Sequence, residues 1–317
     1  MSKRAALVQT VQKESKGLSA VRSAWRKNKI LYLMFLPVAL YYLVFAYKPM
    51  YGALIAFQDY APMKGILGSP WVGFKHFEAF FTNYYFWRIL KNTLIISSCS
   101  IIFGFPTPII LALLLNEIRS NKFKRTVQTI SYIPHFISLV VICGMIKTFT
   151  ADNGIVTDIV CMFGVERQSL LNNANAFVPI YIISDIWQNI GWDAIIYIAA
   201  LTGIDPTLYE AAIIDGANRW KQTLHVTLPG IAPTIIIMLI LKLGGILSLG
   251  YEKIILLYSP LIYETSDVIA SFVYRKGLQE MSWSYSTAVG LFNSVVNFIF
   301  VISANKIANR VSGVSLW

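Results

Sequence analysis

Charge is scarce in this 317-residue chain. Asp, Glu, Lys and Arg make up 14% of it, where a soluble domain carries about 25%. That deficit excludes an ordinary soluble globule. Cysteine is scarce too: Cys99, Cys143 and Cys161 are too few and too scattered for a disulfide framework or a metal site. His76, His135 and His225 are equally dispersed, and no H-E-x-x-H joins any of them into a zinc motif. There is no G-x-x-x-x-G-K-[ST] to cradle a nucleotide and no G-x-S-x-G to present a nucleophile. An enzymatic reading has no motif to stand on, and any ATP chemistry belongs to another chain.

What the chain has in quantity is long apolar runs. Its hydrophobic share is 56% and its mean hydropathy +0.58. A spanning helix needs about 17–25 mostly apolar residues to cross roughly 30 Å of hydrocarbon. Six segments fit: 30–47, 89–115, 127–149, 177–201, 231–249 and 288–307. The second carries Pro106 and Pro108, which predict a kink or a local break. The fourth is interrupted by Asp185 and Asp193. Lipid admits only helix bundles and closed barrels, and these lengths suit helices. The expected fold class is an all-α membrane protein with six transmembrane helices.

The net charge of +11 points to orientation rather than to nucleic acid. Residues 1–29 hold eight Lys or Arg and residues 119–125 hold four, while residues 150–175 hold only Arg167. The positive-inside rule then predicts cytoplasmic N and C termini and, by parity, a cytoplasmic 202–230 loop. Residues 1–29 read as a cytoplasmic basic tail. Within it, Leu18, Val21 and Trp25 at helical spacing predict an interfacial helix over 17–29; a disordered tail is the alternative. No cleavable signal peptide is visible, and the first span is expected to serve as its own signal. Residues 48–86, 150–176 and 250–285 are expected as outer loops. Residues 30–317 then form one transmembrane domain in the cell membrane.

The 202–230 loop is polar and helix-prone. Asp205 followed by Pro206 is a capping side chain with proline at the first helical position. Asp215-Gly216 ends that helix, since glycine readily turns left-handed. A second short helix is expected from 218 to 224, stopped by Leu228-Pro229. Ala211 and Ala212 let another surface approach the backbone closely, Glu210 adds one charge, and Tyr209 and Trp220 add aromatic bulk. From the pattern alone, this is either a capped connector or a docking knob.

The stretch "EAAIIDGA" followed by "VTLP" resembles the EAA motif of binding-protein-dependent ABC importer permeases. Glu210, Ala211, Ala212, Asp215, Gly216, Ala217, Val226, Leu228 and Pro229 fit that pattern as they stand, with Val226 where Ile is common. In that family the loop is the coupling helix that seats in a groove of the ATPase, a role the resemblance extends to Tyr209. "FKRTVQTISYIPHFIS", "WVGFKHFEAFF" and "WQNIGWDAIIYIAALTGIDPTLYEAA" resemble the maltose-type carbohydrate permeases. "YSPLIYETSDVIASFVYRKGL" and "SYSTAVGLFNSVVN" are most similar to their polysaccharide and complex-oligosaccharide branch.

The resemblance implies a type I ABC importer permease fold and a transport subunit that is not itself an enzyme. It implies four kinds of partner: a second homologous permease, two ATPase subunits, an extracellular sugar-binding protein and an oligosaccharide cargo. No cofactor is expected on this chain, with ATP and Mg held by the partner ATPase. Two rivals remain: a permease of the same mechanism for a non-sugar solute, and a membrane receptor or regulator that docks a cytoplasmic partner on the same loop.

Ionisable groups inside a membrane are costly and point to function. Lys242, expected near the centre of span five, either pairs with Asp185 on span four or faces the pathway and contacts an acidic sugar. Asp185, Trp187, Gln188, Asn189 and Trp192 offer the aromatic faces and hydrogen-bonding groups that sugars need; packing between helices is the alternative. Asn293 and Asn297 are four residues apart, so they share one helix face, as pathway groups or as helix-to-helix glue. By resemblance, Tyr263, Glu264, Tyr274 and Arg275 lie near the mouth where the binding protein delivers its cargo.

Overall fold

The computed structural model describes residues 28–317, and within them the secondary structure is helical, with one isolated antiparallel bridge between Gln58 and Trp71. The interfacial helix expected over 17–29 lies, but for its last two residues, outside the described residues. In chain order the main elements are α1 (Lys29–Phe57), α2 (Lys75–Phe81), α3 (Phe86–Glu117), α4 (Asn121–Phe136), α5 (Leu139–Phe149), α6 (Ile155–Cys161), α7 (Ala174–Thr202), α8 (Pro206–Ile214), α9 (Arg219–Leu243), α10 (Tyr251–Leu257), α11 (Ile269–Tyr274) and α12 (Trp283–Ser312). Among the described residues, α1, α3, α9 and α12 are long and apolar enough to cross a membrane, and the α4/α5 pair would make a fifth.

Prolines are absorbed rather than allowed to break the long helices. π-helical turns at Leu43–Tyr47, Ser100–Gly104 and Thr223–Thr227 each end two residues before a proline, at Pro49, Pro106 and Pro229. Proline lacks the N–H for an i→i−4 bond and crowds that carbonyl. The wider π-turn moves the hydrogen-bond register just upstream. One sequence expectation takes a specific form and two change. The prolines of span two leave one helix with a local π-turn, α1 runs past residue 47 to Phe57, and Leu228-Pro229 does not stop the second loop helix, which continues into α9.

Two other spans are interrupted where hydropathy gave no warning. The expected third span, 127–149, bends by 98° between α4 and α5. Pro134 sits in a 3-10 turn, and Ile137 and Ser138 take extended ψ values of 135° and 136°. The expected fifth span, 231–249, ends as a helix at Leu243, and residues 244–250 cross over in turns. Gly244 packs so closely on Val301 of α12 that a Cβ there would collide with it. Side chains staple this stretch in place. The Ser97 hydroxyl donates to the Ile246 carbonyl, the Leu247 amide donates to Asn297 Oδ1 at 3.0 Å, and Asn297 Nδ2 donates to Ser248 Oγ at 2.8 Å. Irregular backbone at membrane depth survives only when satisfied in this way or when it lines a cavity.

Helix α7 lies at the centre. Its 29 residues span about 44 Å, and it packs against α3, α4 and α9. This enclosure lets Asp185, Gln188, Asn189 and Asp193 sit in mid-helix without facing hydrocarbon on every side. Gly191 packs directly on the Ser131 carbonyl of α4, leaving no room for a Cβ. The main apolar core gathers Ile96, Ile142, Phe177, Tyr181, Ile254 and Val268 around the N-terminal half of α7. A second core, with Ile109, Ala112, Tyr197 and Ile231, holds α3, α7 and α9 together near the loop end.

Candidate functional site

The polar residues of α7 open onto a cavity of about 540 Å³. Its wall joins α7 (Asp185, Gln188, Asn189) to the end of α9 (Lys242), the unwound stretch (Ser248) and the start of α10 (Lys253). Lys253 is 4% exposed and its ammonium lies 3.5 Å from Asp185 Oδ1. The same nitrogen donates to the Tyr181 carbonyl at 3.4 Å and sits 4.9 Å from the Tyr181 ring centre. Asn189 Nδ2 donates to Asp185 Oδ1 at 3.2 Å, and His135 Nδ1 donates to Asn189 Oδ1 at 3.1 Å. The His135 ring stacks on Trp192 with centroids 4.5 Å apart.

This network corrects the pairing expected from sequence. Asp185 is engaged by Lys253, not by Lys242. Lys242 is in the last turn of α9, because the helix ends at Leu243, and it forms no ion pair among the described residues. It lines both the cavity and a small adjoining recess with Asp185, Asn189 and Asp193. Lys253 escaped the sequence reading because span five was drawn as ending at Leu249. The signal was a lysine in the otherwise apolar run "KIILL".

The other expected pathway residues divide. Gln188 and Asn189 face the cavity. Trp187 faces a separate apolar groove of about 310 Å³ with Ile142, Met145 and Phe149. Trp192 stacks on His135 instead of lining the cavity. Asn297 is spent on the Leu247 and Ser248 staple, whereas Asn293 lines a second cavity of about 670 Å³. The stretch from Ser248 to Tyr251 forms part of both cavities.

Of the residues expected to face a binding protein, Glu264 is exposed. Arg275 is turned inward, its two terminal nitrogens donating to the Asp267 carboxylate at 2.7 and 3.2 Å. Asp267 is fully buried and also takes Arg88 at 3.5 Å. Asp267 and Arg88 were missed because their pairing depends on contacts across 179 positions of chain. Tyr263 lies under the Arg275 guanidinium, 4.8 Å from its ring centre. Tyr274 stacks on Tyr251 and lines the second cavity.

At the other end of the molecule, the loop folds as a helix, a sharp turn and a second helix. Asp205 Oδ1 accepts from the Thr207 amide at 2.9 Å and Pro206 begins α8. Gly216 adopts φ +74°, and the Ala217 amide donates back to the Ala212 carbonyl at 2.9 Å. Asn218 Oδ1 caps the next helix through the Lys221 amide. Tyr209 is hydrogen-bonded to Thr227 at 3.0 Å, and Arg219 is paired with Glu117 at the end of α3. Glu210, Ala211, Asp215, Gly216 and Pro229 are exposed, while Ala212, Ala217 and Leu228 are half-buried. Leu208, Ile213, Ile214 and Trp220 add exposed apolar bulk, with Ile214 86% exposed. A preformed knob with bare apolar side chains is the signature of an interaction site.

The Thr207 amide holds the Asp205 carboxyl below the usual carboxylate range. A lowered folded-state pKa means that the cap is intact above the ordinary carboxylate value and lost as pH falls through the folded one. Asp205→Ala is expected to speed amide hydrogen exchange over residues 207–209 at neutral pH. Asp205→Asn, which still caps, should not. Hydrogen exchange with mass spectrometry reads the difference.

The family described as binding-protein-dependent transport system inner membrane component matches residues 104–313, from the middle of α3 to the end of α12. The chain is 47% identical over 285 residues to the polygalacturonan/rhamnogalacturonan transport system permease protein YteP of Bacillus subtilis, covering 90% of this chain and 89% of that one. It is 44% identical over 296 residues to protein LplB of the same organism, covering 93% of each. Among solved structures, it is similar to a chain of a bacterial ABC transporter involved in the import of the acidic polysaccharide alginate. That match has a TM-score of 0.85 at 43% identity and covers 92% of this chain and 99% of that one. A chain of a bacterial alginate ABC transporter in complex with an alginate pentasaccharide-bound periplasmic protein gives the same TM-score and identity, covering 93% of this chain and 99% of that one. The chain therefore belongs to the inner-membrane components of binding-protein-dependent transport systems, multi-pass permease subunits of ABC transporters that are not themselves enzymes.

Proposed function

We propose that this chain is one permease subunit of an ATP-driven importer for oligosaccharides, with acidic sugars as its preferred cargo. The observation that carries the cargo reading is Lys242, an ammonium lining the central cavity with no ion pair among the described residues, beside an Asp185 already engaged by Lys253. The names of the similar proteins, which refer to polygalacturonan, rhamnogalacturonan and alginate, support it.

In this reading α1, α3, the bent α4/α5 pair, α7, α9 and α12 supply six spans, with both termini and the α8 knob cytoplasmic. One such chain lines half of a pathway, so a second, homologous permease supplies the rest. Two ATPase subunits bind ATP and Mg and seat the Tyr209–Ala217 knob, with Leu228 and Pro229 at its base. Their closure moves the knob and tips the spans from inward- to outward-facing. An extracellular binding protein then delivers sugar to a cavity where Asp185, Gln188, Asn189 and Lys242 meet it.

Lys242→Met is expected to slow uptake of an acidic oligosaccharide about tenfold, the size of one charge-assisted hydrogen bond, and to leave a neutral one of equal length unchanged. Competing uptake of oligogalacturonides and neutral oligogalactosides into proteoliposomes reads this directly. An equal effect on both sugars would remove Lys242 from cargo recognition.

A further inference from the structure

On the outer side of the fold, a third cavity of about 510 Å³ lies between the connection preceding α3 and the start of α12. Its size falls within the about 300–1,000 Å³ of small-molecule sites. It touches none of the residues that line the central cavity. Trp283, the first residue of α12, lines this outer cavity and also the second cavity, where Tyr251 and Tyr274 stack at 5.8 Å. The second cavity in turn shares Ser248 to Tyr251 with the central one. Three cavities therefore follow one another, with an indole at the first junction and a tyrosine at the second.

We infer that the outer cavity is a separate subsite for a pyranose unit of a longer oligosaccharide, with Trp283 as its aromatic platform and as the step to the second cavity. This inference rests on the oligosaccharide-importer reading above. Sugars present a C–H face that packs on aromatic rings and a rim of hydroxyls that need donors and acceptors. The outer cavity offers both: Trp283 and Tyr60 for the face, and His76, Asn83, Asp59 and Lys276, the last paired with Glu280 at 2.6 Å, for the rim. Its walls are built, not loose. The Tyr60 amide donates to Ser284 Oγ at 2.9 Å, Asn83 Nδ2 donates to the Tyr285 hydroxyl at 3.3 Å, and His76 Nε2 lies 3.1 Å from Asp59. The first two tie the outer connection to α12 and the third braces the connection itself, which fixes the platform in place. Met281, on the same rim, holds φ +55°, a conformation that non-glycine residues seldom take outside sites that require it.

A chain long enough to reach both the outer and inner cavities would feel Trp283, whereas a disaccharide seated at the centre would not. In proteoliposomes holding the complete transporter and its loaded binding protein, Trp283→Ala should slow uptake of a galacturonate tetrasaccharide about tenfold and that of the disaccharide less than twofold. Trp283→Phe, which keeps a ring, should restore most of the tetrasaccharide rate. A second readout does not depend on how the alanine variant folds. In a Ser282→Cys transporter, the tetrasaccharide should slow thiol labelling at the rim and the disaccharide should not. Equal slowing of both sugars by Trp283→Ala, or labelling indifferent to the tetrasaccharide, would overturn the subsite. If the wild-type transporter moves neither sugar, the importer reading fails instead, so the two failures are distinguishable.

Discussion

A Gly216→Val transporter is expected to reach the membrane in normal amounts and to import about 5–30-fold more slowly than wild type, which is the effect of adding a left-handed backbone penalty of about 1–2 kcal/mol to one loop conformer. The residue sits at φ +74°, and a Cβ built on it meets nothing within 4 Å. The penalty is therefore one of backbone conformation, not of collision within this chain. Asn tolerates the left-handed region better than Val does, so Gly216→Asn should retain more transport than Gly216→Val. ATP hydrolysis stimulated by the binding protein should fall in the same order. Asn and Val reduced alike would mean that a partner's surface leaves no space at this position, and wild-type rates for both would remove the turn from coupling.

The largest stability effect is expected at Asp267. Its carboxylate is fully buried and takes Arg275 and Arg88 together, with the Ser271 hydroxyl donating to it at 2.9 Å. Removing one partner of a buried ion cluster leaves uncompensated charge, at a cost of about 3–5 kcal/mol. The two arginines come from α3 and from the turn after α11, so the cluster ties the head of one span to the connection that leads into α12. Asp267→Ala should lower the unfolding midpoint of the purified complex sharply, and Asp267→Asn less, because its amide oxygen still accepts from one guanidinium. An unfolding midpoint unchanged by Asp267→Ala would show that water reaches the cluster and screens it.

The loop at 205–218 was legible in sequence because its signals are local. Asp205-Pro206 starts a helix, Asp215-Gly216 ends it, and Asn218 starts another, each within four residues of its hydrogen-bond partner. The spans were legible as apolar mass but not as backbone. Hydropathy averages over the 98° bend near Pro134 and over the glycine-rich crossing at 244–250, because a window long enough to find a span also covers both sides of each interruption. Pro229 misled in the opposite direction, since a π-turn two residues upstream lets it stay within a long helix, whereas the break expected near Pro106 takes the form of such a turn.

Pairings within the site were the least legible. Lys242 and Lys253 each lie within reach of the α7 polar band, and only the end of α9 at Leu243 decides which of them meets Asp185. Arg275 was expected near the mouth by resemblance alone, with no partner named for its charge. A carboxylate eight residues earlier turns it inward.

The central claim is that this chain works as a permease, moved by ATPases through the α8 knob and fed by a sugar-binding protein. Isolation from native membranes in mild detergent, with mass spectrometry of everything retained, tests it most directly. The retained proteins are expected to include a second membrane-spanning permease, an ATPase that is lost from a variant carrying both Ile213→Glu and Ile214→Glu, and a binding protein that carries acidic glycans. A chain recovered alone, or with signalling proteins and no ATPase, would contradict it.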